Sequence, residues 1–261
     1  GVPFLGAYTD LLKNRASNET AAEFVRQKIR QTVQDPVVAE ALLPTYTIGC
    51  KRLAVDSGYY ETYNRPNVTL VDISESPIEK ITPSGIRALG REYPLDALIM
   101  ATGFDAMTGT LLKIDIRGRR GISLRDKWAD GPRSYLGLGI AEFPNLFTIT
   151  GPGSPSVLTN MLQSIEQHVD WIVDCLNYLR DQEISEIEAT QAAEDAWVIH
   201  NDEVADAHIR NSCSSWYVGA NIEGKPRVFM PYVGGFPRYV ETCNGIAADG
   251  YSGFTLGSTP P

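Results

Sequence analysis

Two adjacent cations, Lys51 and Arg52, are isolated in an acidic chain, and their type and spacing are the first features that suggest chemistry. No other lysine or arginine occurs between Arg30 and Arg65, and the formal net charge of the chain is −9. Adjacent surface cations are usually just solvated, but an isolated pair also suits an anion such as a phosphate. The pair therefore predicts either a solvated surface or an anion site.

A segment rich in glycine and proline is the second candidate for binding an anion. Residues 151–156 read GPGSPS, after a predicted strand and before a predicted helix. The N–H groups and the positive dipole end of a helix N-terminus attract anions in this setting. Pro152 and Pro155 remove N–H donors, however, and the third glycine of a dinucleotide-binding fingerprint is missing. From spacing alone, the segment is more typical of a tight structural turn.

The histidines and one loop tryptophan give weaker signals. His200 and His208 are eight residues apart on a predicted helix, about two turns, which is too far to share one metal ion easily. The spacing suggests no nucleophile–base–acid triad. Trp216 lies among small residues, where a large aromatic side chain usually anchors a loop but also offers flat ligands a stacking surface. We therefore expect no metal site, and the spacing favours an anchoring role for Trp216.

Length and composition indicate a globular protein. The chain has 261 residues, enough for one large domain or two ordinary ones, and its acidic balance argues against a nucleic-acid-binding face. No apolar run approaches the ~20 residues of a membrane span, and no signal peptide is recognisable. The four cysteines are far apart and form no C-x-x-C pair, so we expect neither disulfides nor zinc sites, and we predict a cytoplasmic location.

The helices that must position these residues follow from capping and periodicity. One helix is predicted over residues 18–34, capped by Asn18 or Ser17, and a short one over 37–43. The strongest helix is predicted over 159–180. Its predicted core-facing residues are Leu162, Ile165, Val169, Ile172, Val173, Leu176 and Leu179.

Strands and a further helix complete the predicted elements. A hairpin is expected to turn at Pro83–Gly85. The sequence Ser185–Glu188 has the form of a capping box and predicts another helix, and the tail from residue 211 reads as loops with short strands. Strands rich in apolar or β-branched residues are predicted over residues 67–73, 94–103 and 145–150.

Four longer stretches resemble a known enzyme family. They read GCKRLAVDSGYYETYNRPNVTLVDI, LDALIMATGFDAMTG, SYLGLGIAEFPNLFTITGPGSPSVLTNMLQSIEQHVDWI and SSWYVGANIEGKPRVFMPYVGGFPRY. In this order they resemble the C-terminal half of Baeyer–Villiger monooxygenases of the phenylacetone and cyclohexanone monooxygenase type. The resemblance implies that the N-terminal half of the enzyme, with its Gly-rich fingerprints for FAD and NADPH, is a missing partner of this chain.

The resemblance also implies a fold. The expected fold class is α/β, as part of a flavoprotein with two Rossmann-like dinucleotide-binding domains, for FAD and NADP, and a helical insertion. Residues 1–43 would form the helical subdomain of the NADP domain, and residues 44–102 would form the C-terminal part of that domain. Residues 103–261 would form the C-terminal part of the FAD domain.

The same resemblance implies cofactors, substrates and roles for single residues. The cofactors would be FAD and NADPH, and the substrates a ketone and O₂. Arg52 resembles the catalytic arginine placed over the flavin, Lys51 the lysine at the 2′-phosphate of NADPH, and Trp216 the tryptophan of a loop that folds over NADP(H). The residues expected at a helix N-terminus beside the flavin are Thr159, Asn160 and Met161. Those expected to line the ketone pocket are Ser156, Val157, Leu158 and Met161.

Three alternatives to this reading stay open. A sibling flavin monooxygenase would oxidise nitrogen or sulfur in place of a ketone. A pyridine-nucleotide disulfide reductase has the same two-domain plan but requires a redox pair of cysteines, which the four separate cysteines do not suggest. A non-catalytic binding or regulatory fragment is the third alternative, because the expected N-terminal half is missing.

Overall fold

The chain forms two compact units in the computed structural model, which describes Phe4, Gly6 and residues 8–257. The first unit comprises Gly1–Ile48 and Leu53–Phe104, and the second comprises Gly49–Arg52 and Asp105–Pro261. Parts of the predicted segments, at residues 1–3, 5, 7 and 258–261, lie outside the described residues. The predicted three-part division refers to the longer enzyme and stays a prediction.

The first unit combines short helices with a small sheet. Its described elements are α1 (Arg15–Thr32), α2 (Pro36–Ala41), α3 (Tyr59–Thr62), β1 (Lys80–Thr82), β2 (Gly85–Ala88) and β3 (Arg91–Pro94). The two helices predicted for this region, over residues 18–34 and 37–43, are confirmed with shifted ends. The predicted cap of α1 is wrong, because the Asn14 side chain accepts hydrogen bonds from the N–H groups of Ala16 and Ser17.

Asn18, which the sequence suggested as a cap, lies within α1, and its buried side chain forms hydrogen bonds to two segments outside the helix. Its side-chain amide donates to the carbonyl oxygens of Leu11 at 3.0 Å and Ile48 at 2.8 Å. Its side-chain oxygen accepts from the N–H of Ile48 at 3.1 Å. The side chain is only 2% exposed, so it fastens the helix to two other segments in the interior of the first unit.

The predicted hairpin is confirmed and extends to a third strand. Strand β2 pairs antiparallel with both β1 and β3, and Thr82 is opposite Gly85 at the first turn. Only glycine fits at position 85, since a Cβ atom there would lie 2.0 Å from the carbonyl oxygen of Tyr93. The close approach of β3 therefore explains the glycine of the Pro83–Gly85 turn.

The three predicted buried strands do not form. Residues 67–73, 94–103 and 145–150 contain no ladder strand except the end of β3. Ile99 is 88% exposed and Met100 is 65% exposed. A buried strand of a parallel sheet needs a paired strand on each side, whereas these segments make only isolated backbone hydrogen bonds among the described residues, such as that from Asn145 N–H to the carbonyl oxygen of Ile187.

The second unit is mainly helical. Its described elements are α4 (Gly109–Lys113), α5 (Leu124–Lys127), α6 (Met161–Asp181), β4 (Glu186–Ala189), α7 (Gln191–Asp206), α8 (Phe236–Ala248) and β5 (Phe254–Gly257), with 3₁₀ turns at Arg119–Gly121, Ser156–Leu158, Ile209–Ser212 and Trp216–Val218. Its main core contains large aromatic side chains, among them Trp171, Trp197 and Tyr239. None of the helices among the described residues has the length and apolar character needed to cross a bilayer.

The strongest predicted helix is confirmed as α6, but its predicted buried face is partly wrong. The side chain of Asn160 caps α6 by accepting from the N–H of Leu162 at 3.1 Å. Leu162 is 71% exposed, and Val169, Val173 and Leu176 are also exposed. The residues that are buried are Ser164, His168, Trp171, Cys175 and Leu179. The buried face of α6 thus includes a histidine and a serine. A prediction based only on the spacing of apolar residues does not identify these two.

The predicted capping box at Ser185–Glu188 is wrong. Residues Glu186–Ala189 form β4, which pairs antiparallel with β5, and Ile187 in the middle of β4 is buried. The next helix, α7, begins five residues later than the box implies, and the hydroxyl of Thr190 accepts from the N–H of Ala193. The tail also contains α8, where loops and strands were expected, because Pro237 suits the first turn of a helix.

The buried amide of Asn18 generates a stability prediction. We expect Asn18→Ala to lower the free energy of unfolding by about 2–3 kcal/mol, because it leaves both backbone groups of Ile48 without their partner. Asn14→Ala removes only the exposed cap and should cost about 1 kcal/mol. Urea denaturation of both variants measures the difference, and an equal or smaller loss for Asn18→Ala would contradict the assignment.

Candidate functional site

The predicted cationic pair lies on a four-residue segment of the second unit. Gly49–Arg52 belongs to this unit, although the chain on either side of the segment belongs to the first. Gly49 and Cys50 are buried, whereas Lys51 and Arg52 are exposed. The guanidinium Nε of Arg210 donates to the carbonyl oxygen of Gly49 at 2.9 Å. The segment thus has an anchored beginning and a charged, solvent-facing end.

A disulfide makes the second attachment of this segment. Cys50 is bonded to Cys213, with the two Cα atoms 5.6 Å apart. The expectation that the cysteines form no disulfide is therefore wrong. The two cysteines are separated by 163 residues, so no local spacing indicates the pair. Cys175 and Cys243 are free and buried, and burial raises the pKa of each thiol to about 12.

Trp216 begins a short 3₁₀ turn next to the cationic segment. Its ring packs against that of Tyr217, with the ring centroids 4.2 Å apart. Burial raises the pKa of Tyr217, and the positive charges of Arg210 and Arg52 oppose this shift. Arg52 is therefore close enough to this turn for its charge to act on the tyrosine hydroxyl. The structure brings the predicted catalytic arginine and the predicted loop tryptophan into one neighbourhood.

An apolar cluster joins the loop to the residues predicted to line a ketone pocket. Val157, Leu158 and Trp216 are partly buried and pack against a buried group. The members of that buried group are Ala205, Tyr217, Val218 and Phe229. Two of the four predicted pocket residues, Val157 and Leu158, thus pack against the same buried cluster as Trp216.

The other predicted pocket and flavin-side residues lie at the start of α6. Ser156 is buried, and its hydroxyl is 3.9 Å from the sulfur of Met107. Thr159 and Met161 are partly buried, and Asn160 is exposed. The predicted residues therefore form one continuous stretch, from the Ser156–Leu158 turn to the helix N-terminus. Within that stretch, Ser156 faces the interior.

The GPGSPS segment is a structural turn over its first four residues. The N–H of Gly153 donates to the carbonyl oxygen of Met230 at 2.7 Å, and the indole N–H of Trp197 donates to the carbonyl oxygen of Gly153 at 2.9 Å. The hydroxyl of Ser154 donates to the carbonyl oxygen of Gly151 at 2.7 Å. These backbone and hydroxyl groups form hydrogen bonds within the protein and are not directed at an anion. This agrees with the tight structural turn that the spacing of the segment favoured.

His168 supports this turn from α6, a role that the sequence did not indicate. Its Nδ1 accepts from the N–H of Thr150 at 2.8 Å, and its Nε2 is 3.0 Å from the hydroxyl of Tyr239. That hydroxyl donates to the carbonyl oxygen of Leu136 at 2.7 Å, so the Nε2–H tautomer satisfies all these groups. Burial lowers the pKa of His168 to about 4, which keeps the ring neutral near pH 7.

An ion pair holds the far side of the Trp216 loop. The ammonium of Lys225 contacts the carboxylate of Asp105 at 2.5 Å and donates to the carbonyl oxygen of Ala106 at 3.0 Å. Lys225 is nearly buried, with its side chain 10% exposed. No spacing in the sequence indicates this pair, because its members are 120 residues apart.

His200 packs among aromatic rings of the main core, and His208 directly precedes the Ile209–Ser212 turn. The ring of His200 packs on those of Trp197 and Tyr232, at centroid distances of 5.4 and 5.8 Å. Among the described residues there is no group of three histidine, cysteine or acidic side chains that would hold a metal ion.

The curated proteins that match this chain include several monooxygenases. No protein-family model matches the chain. The chain is 42% identical over 248 residues to a Baeyer–Villiger monooxygenase of Pseudooceanicola batsensis, with 95% of this chain and 45% of that protein covered. It is 39% identical over 256 residues to the phenazine N-monooxygenase PhzNO1 of Lysobacter antibioticus, with 98% of this chain and 47% of that protein covered.

Solved structures agree with these relatives. An oxidized steroid monooxygenase bound to NADP is 50% identical, with a TM-score of 0.92 over 99% of this chain and 49% of its own. OTEMO in complex with FAD and NADP is 42% identical, with a TM-score of 0.90 over 96% of this chain and 46% of its own. The expected fold class, part of a flavoprotein with two dinucleotide-binding domains, is confirmed. The chain belongs to the Baeyer–Villiger monooxygenase family and spans about half the length of the curated relatives that it matches.

Proposed function

We propose that this chain is part of an NADPH- and FAD-dependent Baeyer–Villiger monooxygenase, which inserts one oxygen atom of O₂ next to a ketone carbonyl to give an ester or lactone. The apolar cluster that joins Val157 and Leu158 to Trp216, beside a cationic segment, carries the proposal. The activity belongs to the complete enzyme, because the chain spans about half of its relatives. We do not expect this chain alone to be active.

The cationic segment and the Trp216 loop fit the NADPH side of such a site. Lys51 is exposed and carries a flexible ammonium, which suits the 2′-phosphate of NADPH as a point charge. Trp216 is partly buried and offers an aromatic surface to the nicotinamide end. Both lie in the second unit, and their separate attachments hold each in position before the cofactor binds.

The N-terminus of α6 fits the flavin side. This helix has 21 residues and no acidic side chain in its first turn, so nothing there offsets its positive dipole end. Thr159, Asn160 and Met161 would therefore face negative charge on the flavin ring. FAD, when bound, would supply the reaction with O₂, and the Gly-rich fingerprint for its phosphates would come from the rest of the enzyme.

Arg52 would act on the charge that develops during oxygen insertion. As the ketone carbonyl is attacked, negative charge moves onto its oxygen, and a guanidinium keeps its positive charge at any working pH. At ~4 Å and an effective dielectric of ~20, one such pair is worth about 4 kcal/mol, or roughly a thousandfold in rate. The ketone itself would lie against Val157, Leu158 and Met161, with Ser156 behind them.

The first unit supports the proposal that the rest of the enzyme is a partner. A cleft of about 380 Å³ on this unit is lined mainly by apolar side chains, including Val71, Ile73 and Ile86. Ile99 and Met100 add further exposed apolar surface. Large exposed apolar surface usually marks an interface, so further sheet and helix from the same enzyme would cover it. A cytoplasmic location is part of the same proposal, and the net charge of −9 agrees with a soluble enzyme.

A second candidate reaction is oxidation of nitrogen or sulfur. The phenazine N-monooxygenase matches nearly the whole chain at an identity close to that of the Baeyer–Villiger relative. The same cofactors would then deliver oxygen to an electron-rich nitrogen or sulfur atom. Such a reaction develops no oxyanion on a carbonyl group for Arg52 to stabilise. The two candidate reactions therefore differ in how strongly they would depend on Arg52.

The product of the full-length enzyme separates the two candidates. With NADPH and ¹⁸O₂, we expect a cyclic ketone to give a lactone that carries one ¹⁸O atom in its ring, as read by mass spectrometry. A thioether and a tertiary amine are assayed in parallel. Sulfoxide or N-oxide formation without any lactone, over a panel of ketones, would favour the second candidate and contradict the first.

Arg52 gives the sharpest prediction for the mechanism. In the full-length enzyme, Arg52→Ala should retain FAD and lower ketone oxygenation by roughly a thousandfold, because the developing oxyanion loses its nearest positive charge. Remaining oxygen uptake should end as hydrogen peroxide. FAD absorbance, ester yield and peroxide are measured on the same sample, and substantial ester formation would refute the role.

Lys51, the adjacent cation, should give a different signature. We expect Lys51→Ala to raise KM for NADPH at least tenfold more than KM for NADH, since only NADPH carries the 2′-phosphate. Ester yield per NADPH oxidised should stay as in the parent enzyme. Lys113→Ala, which removes an exposed lysine at the end of α4, is the matched control and should change neither constant. Equal losses with both nucleotides would contradict the phosphate contact.

A further inference from the structure

The disulfide between Cys50 and Cys213 is located between the two functional parts of the second unit. Cys50 directly precedes Lys51 and Arg52, and Cys213 lies three residues before Trp216. The 5.6 Å between their Cα atoms is within the range that a disulfide spans. A single bond therefore links the segment with the two cations to the loop that carries the tryptophan.

The other attachments in this region are not redox-sensitive. Arg210 holds the carbonyl oxygen of Gly49, and Lys225 holds Asp105 on the far side of the loop. The sulfur of Cys213 also approaches the carbonyl oxygen of Ile209 at 3.2 Å, which orients this side chain toward the 3₁₀ turn. Opening the disulfide would remove the only covalent attachment among these and leave weaker polar contacts.

The Cys213 side of this pair borders a surface cleft, whereas Cys50 is buried. Cys213 lines an open surface cleft of about 310 Å³, together with the polar residues Asn211, Ser212 and Ser214. Arg227 lines the same cleft, and positive charge near a thiol favours the thiolate that reacts with oxidants. Cys213 is 9% exposed and Cys50 is 3% exposed, whereas the free thiols Cys175 and Cys243 are 0% exposed in the main core.

We infer that Cys50 and Cys213 form a redox modification site, a reversible dithiol–disulfide pair whose state sets how firmly the Lys51–Arg52 segment is held to the Trp216 loop. This role rests on the proposed cytoplasmic location, because disulfides of cytosolic proteins are usually transient and are catalytic or redox-sensing. Hydrogen peroxide closes the pair: the thiols lose two protons and two electrons, and the peroxide is reduced to two water molecules. Two molecules of a small thiol reopen the pair and leave as their own disulfide.

The effect on cofactor use rests on the proposed function. A closed pair holds the cations and the tryptophan in fixed positions, and a preorganised site binds its ligand more tightly. We expect reduction of the pair to raise KM for NADPH about three- to tenfold, with full recovery after reoxidation. Hydrogen exchange of residues 209–220 should become faster on reduction, whether or not a cofactor is bound.

The test uses the full-length enzyme under native conditions. Treatment with peroxide should produce a peptide pair that joins residues 50 and 213 in a non-reducing digest, and glutathione should remove it. Cys50→Ser and Cys213→Ser should each show the fast exchange of the reduced enzyme in both conditions. Cys175→Ala, the matched thiol control, should behave as the parent does.

Lys225→Gln separates a redox effect from a general loosening of the loop. It should speed exchange of the loop in both redox states while the response to glutathione persists. A digest in which residues 50 and 213 are never joined, or are joined regardless of treatment, would overturn the inference. So would a pair that opens without any change in exchange. If exchange responds but no ketone is oxygenated, the redox site stands and the proposed reaction fails.

Discussion

The buried turn over residues 150–154 is the constraint on which the candidate site depends. Its backbone groups are paired with distant parts of the second unit, among them His168 on α6, Trp197 on α7 and the carbonyl oxygen of Met230. An unpaired buried N–H or carbonyl group costs about 1–3 kcal/mol, so the turn has little freedom to shift. This fixes where the Ser156–Leu158 turn lies and where α6 begins. The neutral ring of His168 is part of the constraint, because only an unprotonated Nδ1 accepts the Thr150 hydrogen bond.

Local signals in the sequence predicted the elements that depend on neighbouring residues. The hairpin at Pro83–Gly85 and the helix after Asn160 were both recognisable, because a tight turn and a capped amphipathic helix are determined within a few residues. The cap of α1, predicted at Asn18 or Ser17, was misplaced by three or four residues, since asparagine and serine are good caps at any of these positions on residue type alone. Burial decides between them, and burial is a property of the folded unit.

The predictions that were wrong have a different physical cause in common. Each concerns a segment whose structure depends on residues far away in the sequence. The segment at residues 94–103 has the composition of a buried strand, yet its strand neighbours do not lie among the described residues. Glu186–Ala189 has the form of a helix cap but pairs with β5, almost seventy residues later. The Cys50–Cys213 bond joins two segments that no spacing rule relates. The roles of the site residues came only from the resemblance, because no local pattern distinguishes Arg52 from a solvated cation.

The two parts of the candidate site meet opposite physical requirements. In the proposed site, a surface for an apolar substrate would need to be shaped in advance, and Val157 and Leu158 pack against a buried cluster that would supply this shape. A cation that meets an anionic cofactor is best kept hydrated until the cofactor arrives, and the exposure of Lys51 and Arg52 agrees with the role proposed for them. Ordering a lysine or arginine side chain on binding costs about 2 kcal/mol of rotamer entropy, in addition to any backbone ordering. Anchoring the backbone at Gly49 and Cys50 removes the backbone part of this cost while leaving both charges in water. The buried glycine and cysteine are therefore what make an exposed cationic pair suitable for binding.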